Sequence, residues 1–159
     1  MPDITVRDIM HPRVTKVAPS DTVATVAQAL SRSGLSGVPV VEGDEVIGIV
    51  TETDIIQRQA DVSMPAHVSF WDRIFVLDAG PDYEEEIRRV LATDARSLMT
   101  SPVYNIRDNA TLEEAATVMI DRDIGTLPVL DQDNKLVGVI TRKDLVKMIA
   151  KLENDGASE

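Results

Sequence analysis

Apolar positions along this chain fall into two series of short alternating runs and helical stripes, and the second series retraces the first. Val14 to Val17 alternates as a strand does and stops at Pro19. Ser20, Asp21 and Thr22 are helix-capping types, and Val23, Val26, Ala27 and Leu30 follow at helical spacing. Gly34 and Gly37 end that helix. Val38 to Val41 and Val46 to Val50 are β-branched runs joined across Gly43-Asp44, which predicts a hairpin. A further helix is predicted from Glu52, with Ile55 and Ile56 on its buried face.

The same order returns later. Arg7, Met10, Val14, Thr22, Ala27, Pro39, Val40, Gly48, Thr51 and Asp54 recur as Arg96, Met99, Val103, Thr111, Ala116, Pro128, Val129, Gly138, Thr141 and Asp144. Thr111 and Glu114 form a capping-box pair ahead of a helix lined by Ala115, Met119 and Ile120. Leu127 to Leu130 and Leu136 to Ile140 are strands turned at Asp133-Asn134, and Leu145, Val146, Ile149 and Leu152 carry the last helix. Arg7 to Met10 and Arg96 to Met99 read as short helical lead-ins. The organisation is a first module over residues 1–60, an insertion over 61–94, a second module over 95–153, and a polar tail over 154–159. Two similar units in one chain can pair about a pseudo-twofold axis and create clefts between them.

Composition narrows the function. The 159 residues carry a formal charge of −11, with no cysteine. The mean hydropathy of −0.04 and pI near 4.6 fit a folded acidic protein. Without a basic stripe, such a surface repels nucleic acid and anionic membrane. No apolar run is long enough to span a bilayer. The start, MPDITVRDIM, lacks a signal-peptide layout, so the expected location is cytoplasmic. Residues 61–94 hold eight acids against three arginines, together with His67, Phe70, Trp71, Phe75 and Tyr83. There, Val68 to Leu77 is apolar, Ala79-Gly80-Pro81 breaks the run, and Asp82 to Leu91 reads as an acidic amphipathic helix. Its apolar surface can fold back on its own module, complete a homodimer, or face another protein through residues 68–91.

The chemistry lies in the repeated punctuation. Copy one reads Gly-Val-Pro-Val, hairpin, Gly-Ile-Val-Thr-Glu-Thr-Asp, and copy two reads Gly-Thr-Leu-Pro-Val, hairpin, Gly-Val-Ile-Thr-Arg-Lys-Asp. With the Asp-Ile-Met and Ser-Leu-Met lead-ins, this ordered set resembles the cystathionine β-synthase (CBS) domain family. The resemblance implies an α/β (α+β) fold of two β-α-β-β-α modules packed about a pseudo-twofold axis. It also implies adenine nucleotides or adenosyl ligands bound in clefts between the copies. Thr51 and Thr141 stand where a strand passes into a helix, and the helix start favours phosphate. Asp54 and Asp144 can accept from ribose hydroxyls. Gly37, Val38 and Pro39, with Thr126, Leu127 and Pro128, offer backbone groups and an apolar wall to adenine. By the same resemblance, Thr15 and Val17 line one pocket, and Tyr104 and Ile106 the other.

Alternatives stand beside these roles. Thr-x-x-Asp at a helix start is also a cap. Tyr104 either stacks on adenine or is an ordinary strand residue. Arg142 and Lys143 lie between Thr141 and Asp144, where copy one has Glu52 and Thr53, so the Asp144 half is expected to be the better phosphate site. Either cation could also reach across to a ligand held by Asp54. His11 and His67 show no ligand spacing and are assigned surface or packing roles. No phosphate loop, dinucleotide fingerprint, metal set or catalytic triad occurs.

The expected function is a non-enzymatic adenine-nucleotide sensor for AMP, ADP or ATP, acting through rearrangement of the modules or of a dimer. No resident cofactor is expected, although Mg²⁺ would accompany ATP. The alternative is a constitutive dimerisation scaffold without ligand.

Overall fold

Thr22 starts the first long helix because its side chain accepts the Thr25 amide, and Gly34 ends it in the left-handed conformation at φ 66°. The computed structural model describes residues 3–61, 93–101 and 103–156. The elements are α1 (Val6–Ile9), α2 (Val23–Ser33), β1 (Gly37–Glu42), β2 (Glu45–Thr51), α3 (Glu52–Asp61), α4 (Ala95–Leu98), β3 (Ile106–Arg107), α5 (Leu112–Asp121), β4 (Thr126–Leu130), β5 (Leu136–Thr141) and α6 (Arg142–Gly156). Residues 62–92, which hold the aromatics and the expected helix of the insertion, lie outside the described residues.

Each copy is built on an antiparallel hairpin. β1 pairs with β2 from Gly37↔Thr51 to Glu42↔Glu45, and β4 pairs with β5 from Thr126↔Thr141 to Leu130↔Leu136. Gly43, at φ 62°, and Asn134, also at φ 62°, supply the left-handed turn residues. In the second copy β3 adds a parallel strand, with Ile106 opposite Val129. The expected first strand of copy one contracts to a single parallel bridge, Val17↔Val40, at the equivalent register. The modules are therefore mixed α+β units with small sheets.

Each module has its own core. Val17, Val26, Leu30, Val38, Val40 and Val50 form one, and Ile106, Ala115, Met119, Leu127, Val129 and Ile140 form the other. Most of these come from the apolar stripes and alternating runs read from the sequence. Val146, Ile149 and Leu152 of the last apolar stripe are exposed, leaving Leu145 as its buried member. Ile56 and Ile120, expected on buried faces, are 66% and 75% exposed. Each lies next to the residue that its helix turns inward, Ile55 and Met119 respectively. The helical period identifies a stripe, and the docking angle of the helix selects its edge.

The lead-ins are exchanged. Val6 of α1 is fully buried in the second module's core, while Ala95 of α4 is fully buried in the first module's. Four isolated bridges hold this exchange as two symmetry-related pairs. Thr5↔Thr111 matches Thr22↔Asp94, and His11↔Val139 matches Ile49↔Thr100. Backbone bonds repeat the relation: the Arg7 amide donates to the Asp108 carbonyl at 2.8 Å, and the Arg96 amide donates to the Pro19 carbonyl at 3.0 Å. The pseudo-twofold axis thus runs through a seam built largely by the lead-ins. Among the described residues, no helix is long and apolar enough to cross a membrane.

Candidate functional site

At each Thr-x-x-Asp the chain leaves a strand and starts a helix, and the carboxylate folds back to cap it. The Thr51 amide and hydroxyl donate to Asp54 Oδ2 at 2.8 and 3.0 Å, and the Asp54 amide donates to Thr51 Oγ1 at 3.2 Å. In the second copy the Thr141 amide and hydroxyl both donate to Asp144 Oδ2 at 2.8 Å. The next amide on each side is also engaged: Glu52 donates to the Ser36 carbonyl at 3.0 Å, and Arg142 to the Gly125 carbonyl at 3.1 Å. These caps consume several of the amides that the helix starts would otherwise offer to phosphate. Side-chain cations are the stronger remaining anion partners.

Capping leaves each carboxylate a second oxygen, and the two differ. Asp144 Oδ1 lies 2.9 Å from His11 Nε2, and Asp144 is only 7% exposed. Asp54 is half-buried, and its Oδ1 has no hydrogen-bond partner among the described residues. The cap and ligand readings of Thr-x-x-Asp are compatible, because a carboxylate has lone pairs for both.

Both motifs open on one cleft of about 840 Å³, which Thr51, Asp54, Thr141 and Asp144 line together. Ser36 Oγ and Thr126 Oγ1 are 2.6 Å apart in its lining, a hydrogen bond that joins the modules. Arg142, Lys143 and Lys147 bring positive charge, while Glu52 and Asp123 add negative charge. Arg142 is held by Asp123 at 3.1 Å, and Asp123 is almost fully exposed. Such an exposed pair is weak, so the guanidinium can be redirected to an anion at little cost.

Of the residues expected at the site, Thr51, Asp54, Thr126, Thr141, Arg142, Lys143 and Asp144 line this cleft. Thr15, Val17, Gly37, Val38, Pro39, Tyr104, Ile106, Leu127 and Pro128 are not in its lining. Val17, Val38, Ile106 and Leu127 have their side chains in the module cores, and Pro39 and Pro128 are buried within paired strands. Both backbone polar groups of Val17 are spent on β1: its amide donates to Pro39 at 3.0 Å, and its carbonyl accepts from Val41 at 2.9 Å. Gly37 sits opposite Thr51 in the hairpin, and Thr15 is half-buried in the connecting segment. The Tyr104 ring is covered by the Arg122 guanidinium, 4.7 Å from the ring centroid.

The sequence reading missed His11, Ser36 and Lys147. His11, read as a surface or packing residue, is exposed, lines the cleft and places Nε2 2.9 Å from Asp144 Oδ1. Its signal is indirect, since only the exchange of lead-ins carries it to the other module. Lys147 had a local signal: it lies one helical turn beyond Lys143, on the same face.

A family model for the CBS domain matches residues 6–61 and again residues 95–151. The chain belongs to the CBS domain family, as a tandem pair. It is 27% identical over 160 residues to the uncharacterized protein MK0525 of Methanopyrus kandleri, covering 98% of this chain and 69% of that protein. It is also 27% identical over 162 residues to the CBS domain-containing protein CBSX2, chloroplastic, of Arabidopsis thaliana, covering 95% of this chain and 66% of that protein. The crystal structure of CBSX2 in complex with AMP superposes with a TM-score of 0.69 at 25% identity, covering 94% of this chain and 98% of that one. The CBS domain pair of MJ0100, solved with 5′-methylthioadenosine and S-adenosyl-L-methionine, superposes with a TM-score of 0.71 at 18% identity, covering 94% and 98%. That second likeness concerns the fold alone.

Proposed function

We propose that this CBS pair is a regulatory module that binds an adenine nucleotide in the cleft between its copies. The observation that carries the reading is the open oxygen of Asp54 in a cavity that also holds Arg142 and Lys143. A carboxylate with free lone pairs suits the ribose diol, and the cations opposite suit a phosphate. A volume of about 840 Å³ is within the range of small-molecule sites. The likeness to CBSX2 with AMP supports the same class of ligand. In this arrangement the sugar meets Asp54, and the phosphate meets cations supplied by the second module.

The bound nucleotide touches both modules and so favours one relative orientation of them. It shifts that equilibrium only by its difference in affinity between the orientations. Output passes through assembly with a second copy or another protein, and the site works without a resident cofactor. The role we propose for it is regulatory and non-enzymatic. Location in the cytoplasm and Mg²⁺ accompanying ATP remain parts of the proposal.

The exposed Ile120, Val146 and Ile149 favour a second reading, a dimerisation scaffold. Thermal unfolding with AMP, ADP, ATP with Mg²⁺, and S-adenosylmethionine separates the two. A ligand at about 100 times its Kd stabilises by about 2.7 kcal/mol and raises Tm by a few degrees. No rise with any of them at millimolar concentration would leave the scaffold.

A further inference from the structure

His11 makes the two halves of the cleft unequal, and it does so on a backbone that is symmetric. Its own amide and carbonyl form a two-way bridge with Val139, at 2.8 and 3.1 Å. Thr100, the pseudo-symmetric residue, forms the same bridge with Ile49, at 2.9 and 3.3 Å. The side chains then diverge. The imidazole reaches Asp144 Oδ1 at 2.9 Å, whereas the Thr100 hydroxyl makes no hydrogen bond to Asp54 among the described residues. With Oδ2 already accepting twice from Thr141, both oxygens of Asp144 are engaged. Asp54 keeps one open.

We propose that His11 is a specificity-determining residue that closes the Asp144 half to a ribose diol, so that the cleft takes one adenosine monophosphate per chain with its sugar on Asp54. A diol arriving at Asp144 must displace the imidazole from its place 2.9 Å from Oδ1 or forgo the hydrogen bond to that oxygen, a loss worth roughly ten- to a hundredfold in binding. The two-way bridge and Met10, whose side chain lies against Gly138 with no room for a Cβ, hold the His11 backbone beside Asp144. From there the imidazole occupies Oδ1. The cations Arg142, Lys143 and Lys147 serve the single nucleotide from across the cleft. This inference rests on the nucleotide reading of the site.

The test is calorimetric titration of AMP into the whole chain and three variants. His11→Thr copies the residue that the other half carries on the same backbone, so the bridge and fold are retained. His11→Gln keeps a donor on a side chain of similar reach. Wild type should bind one AMP, and His11→Thr should gain a second site or bind that second AMP roughly ten- to a hundredfold more tightly. His11→Gln should stay at one. Asp54→Asn, which can keep an acceptor for the cap, should lose the wild-type site. Two AMP per wild-type chain, or a His11→Thr profile identical to wild type, would overturn the role of His11 while leaving the nucleotide reading intact. Absence of AMP binding in all four proteins would reject the nucleotide reading, and the inference with it.

Discussion

His11 and Val139 satisfy each other's backbone: the His11 amide donates to the Val139 carbonyl at 2.8 Å, and the Val139 amide returns a bond to the His11 carbonyl at 3.1 Å. The bridge fastens the start of the chain to the last strand of the second module. It also explains the repeated glycine. Gly138 lies beneath Met10, and Gly48 lies beneath Met99 in the mirrored position.

Replacing either glycine should be costly. A Cβ at Gly138 would overlap the Met10 sulfur and sit 2.9 Å from the His11 carbonyl oxygen. At Gly48 the nearest atoms all belong to the Met99 side chain. The Met99 sulfur can swing away, but its Cβ, also 2.9 Å from the added Cβ, moves only with the backbone. Gly138→Ala and Gly48→Ala are each expected to cost about 1–3 kcal/mol in urea unfolding. Negligible losses would contradict the close approach.

The exchanged lead-ins predict a long-range effect. Val6 is fully buried among residues of the second module. Val6→Ala should lower stability by about 1.5–3 kcal/mol. Its amide-exchange signature should appear in α5 and β4, with less change in α2 and β1. Protection lost mainly around Val17 and Val26 would contradict the exchange.

Acid should weaken the same seam. Arg7 donates to Asp108 Oδ2 from Nε at 3.0 Å, and a second contact from its terminal nitrogen reinforces the pair. Hydrogen bonding to Arg7 holds the Asp108 carboxyl below its ordinary value of 3.8. A depressed folded-state pKa stabilises above the unfolded value and is lost as pH falls through the folded one. Tm should therefore drop as pH falls below the ordinary carboxylate range. Arg7→Ala should lower Tm at neutral pH and flatten that acid slope. The slope should not vanish, because Asp8 and Asp94 are also held low, by hydrogen bonds from Thr5 and Ser97 respectively.

Arg142 offers a test of which part of the ligand it meets. Arg142→Ala should weaken AMP roughly ten- to a hundredfold and leave adenosine nearly unchanged, read by calorimetry. Equal losses for both ligands would point to a structural role for the guanidinium.

Local chemistry was legible in advance. The Thr111–Glu114 capping box forms as read, with amide–side-chain bonds of 2.8 and 3.1 Å, because both partners lie within one helical turn. Gly43 and Asn134 take the left-handed turn conformation for the same reason: the requirement is local. Thr51, Asp54, Thr141 and Asp144 could be selected because the repeat marks them twice, and the cleft indeed gathers all four. Which apolar side chains line the cleft was not legible. Val17 and Leu127 belong to alternating strands, and only the packing of a strand decides whether a given face meets a core or a cleft.

The sequence by itself determined the duplication, the family, the hairpins and the helix caps, all of which depend on neighbours a few residues apart or on the recurrence of a pattern. Only the tertiary structure decided that α1 completes the second module and α4 the first. Either arrangement buries the same Val6 and Ala95, so composition and periodicity do not distinguish them. That exchange sets His11 on Asp144, and two matching motifs become a cleft with one engaged carboxylate and one open.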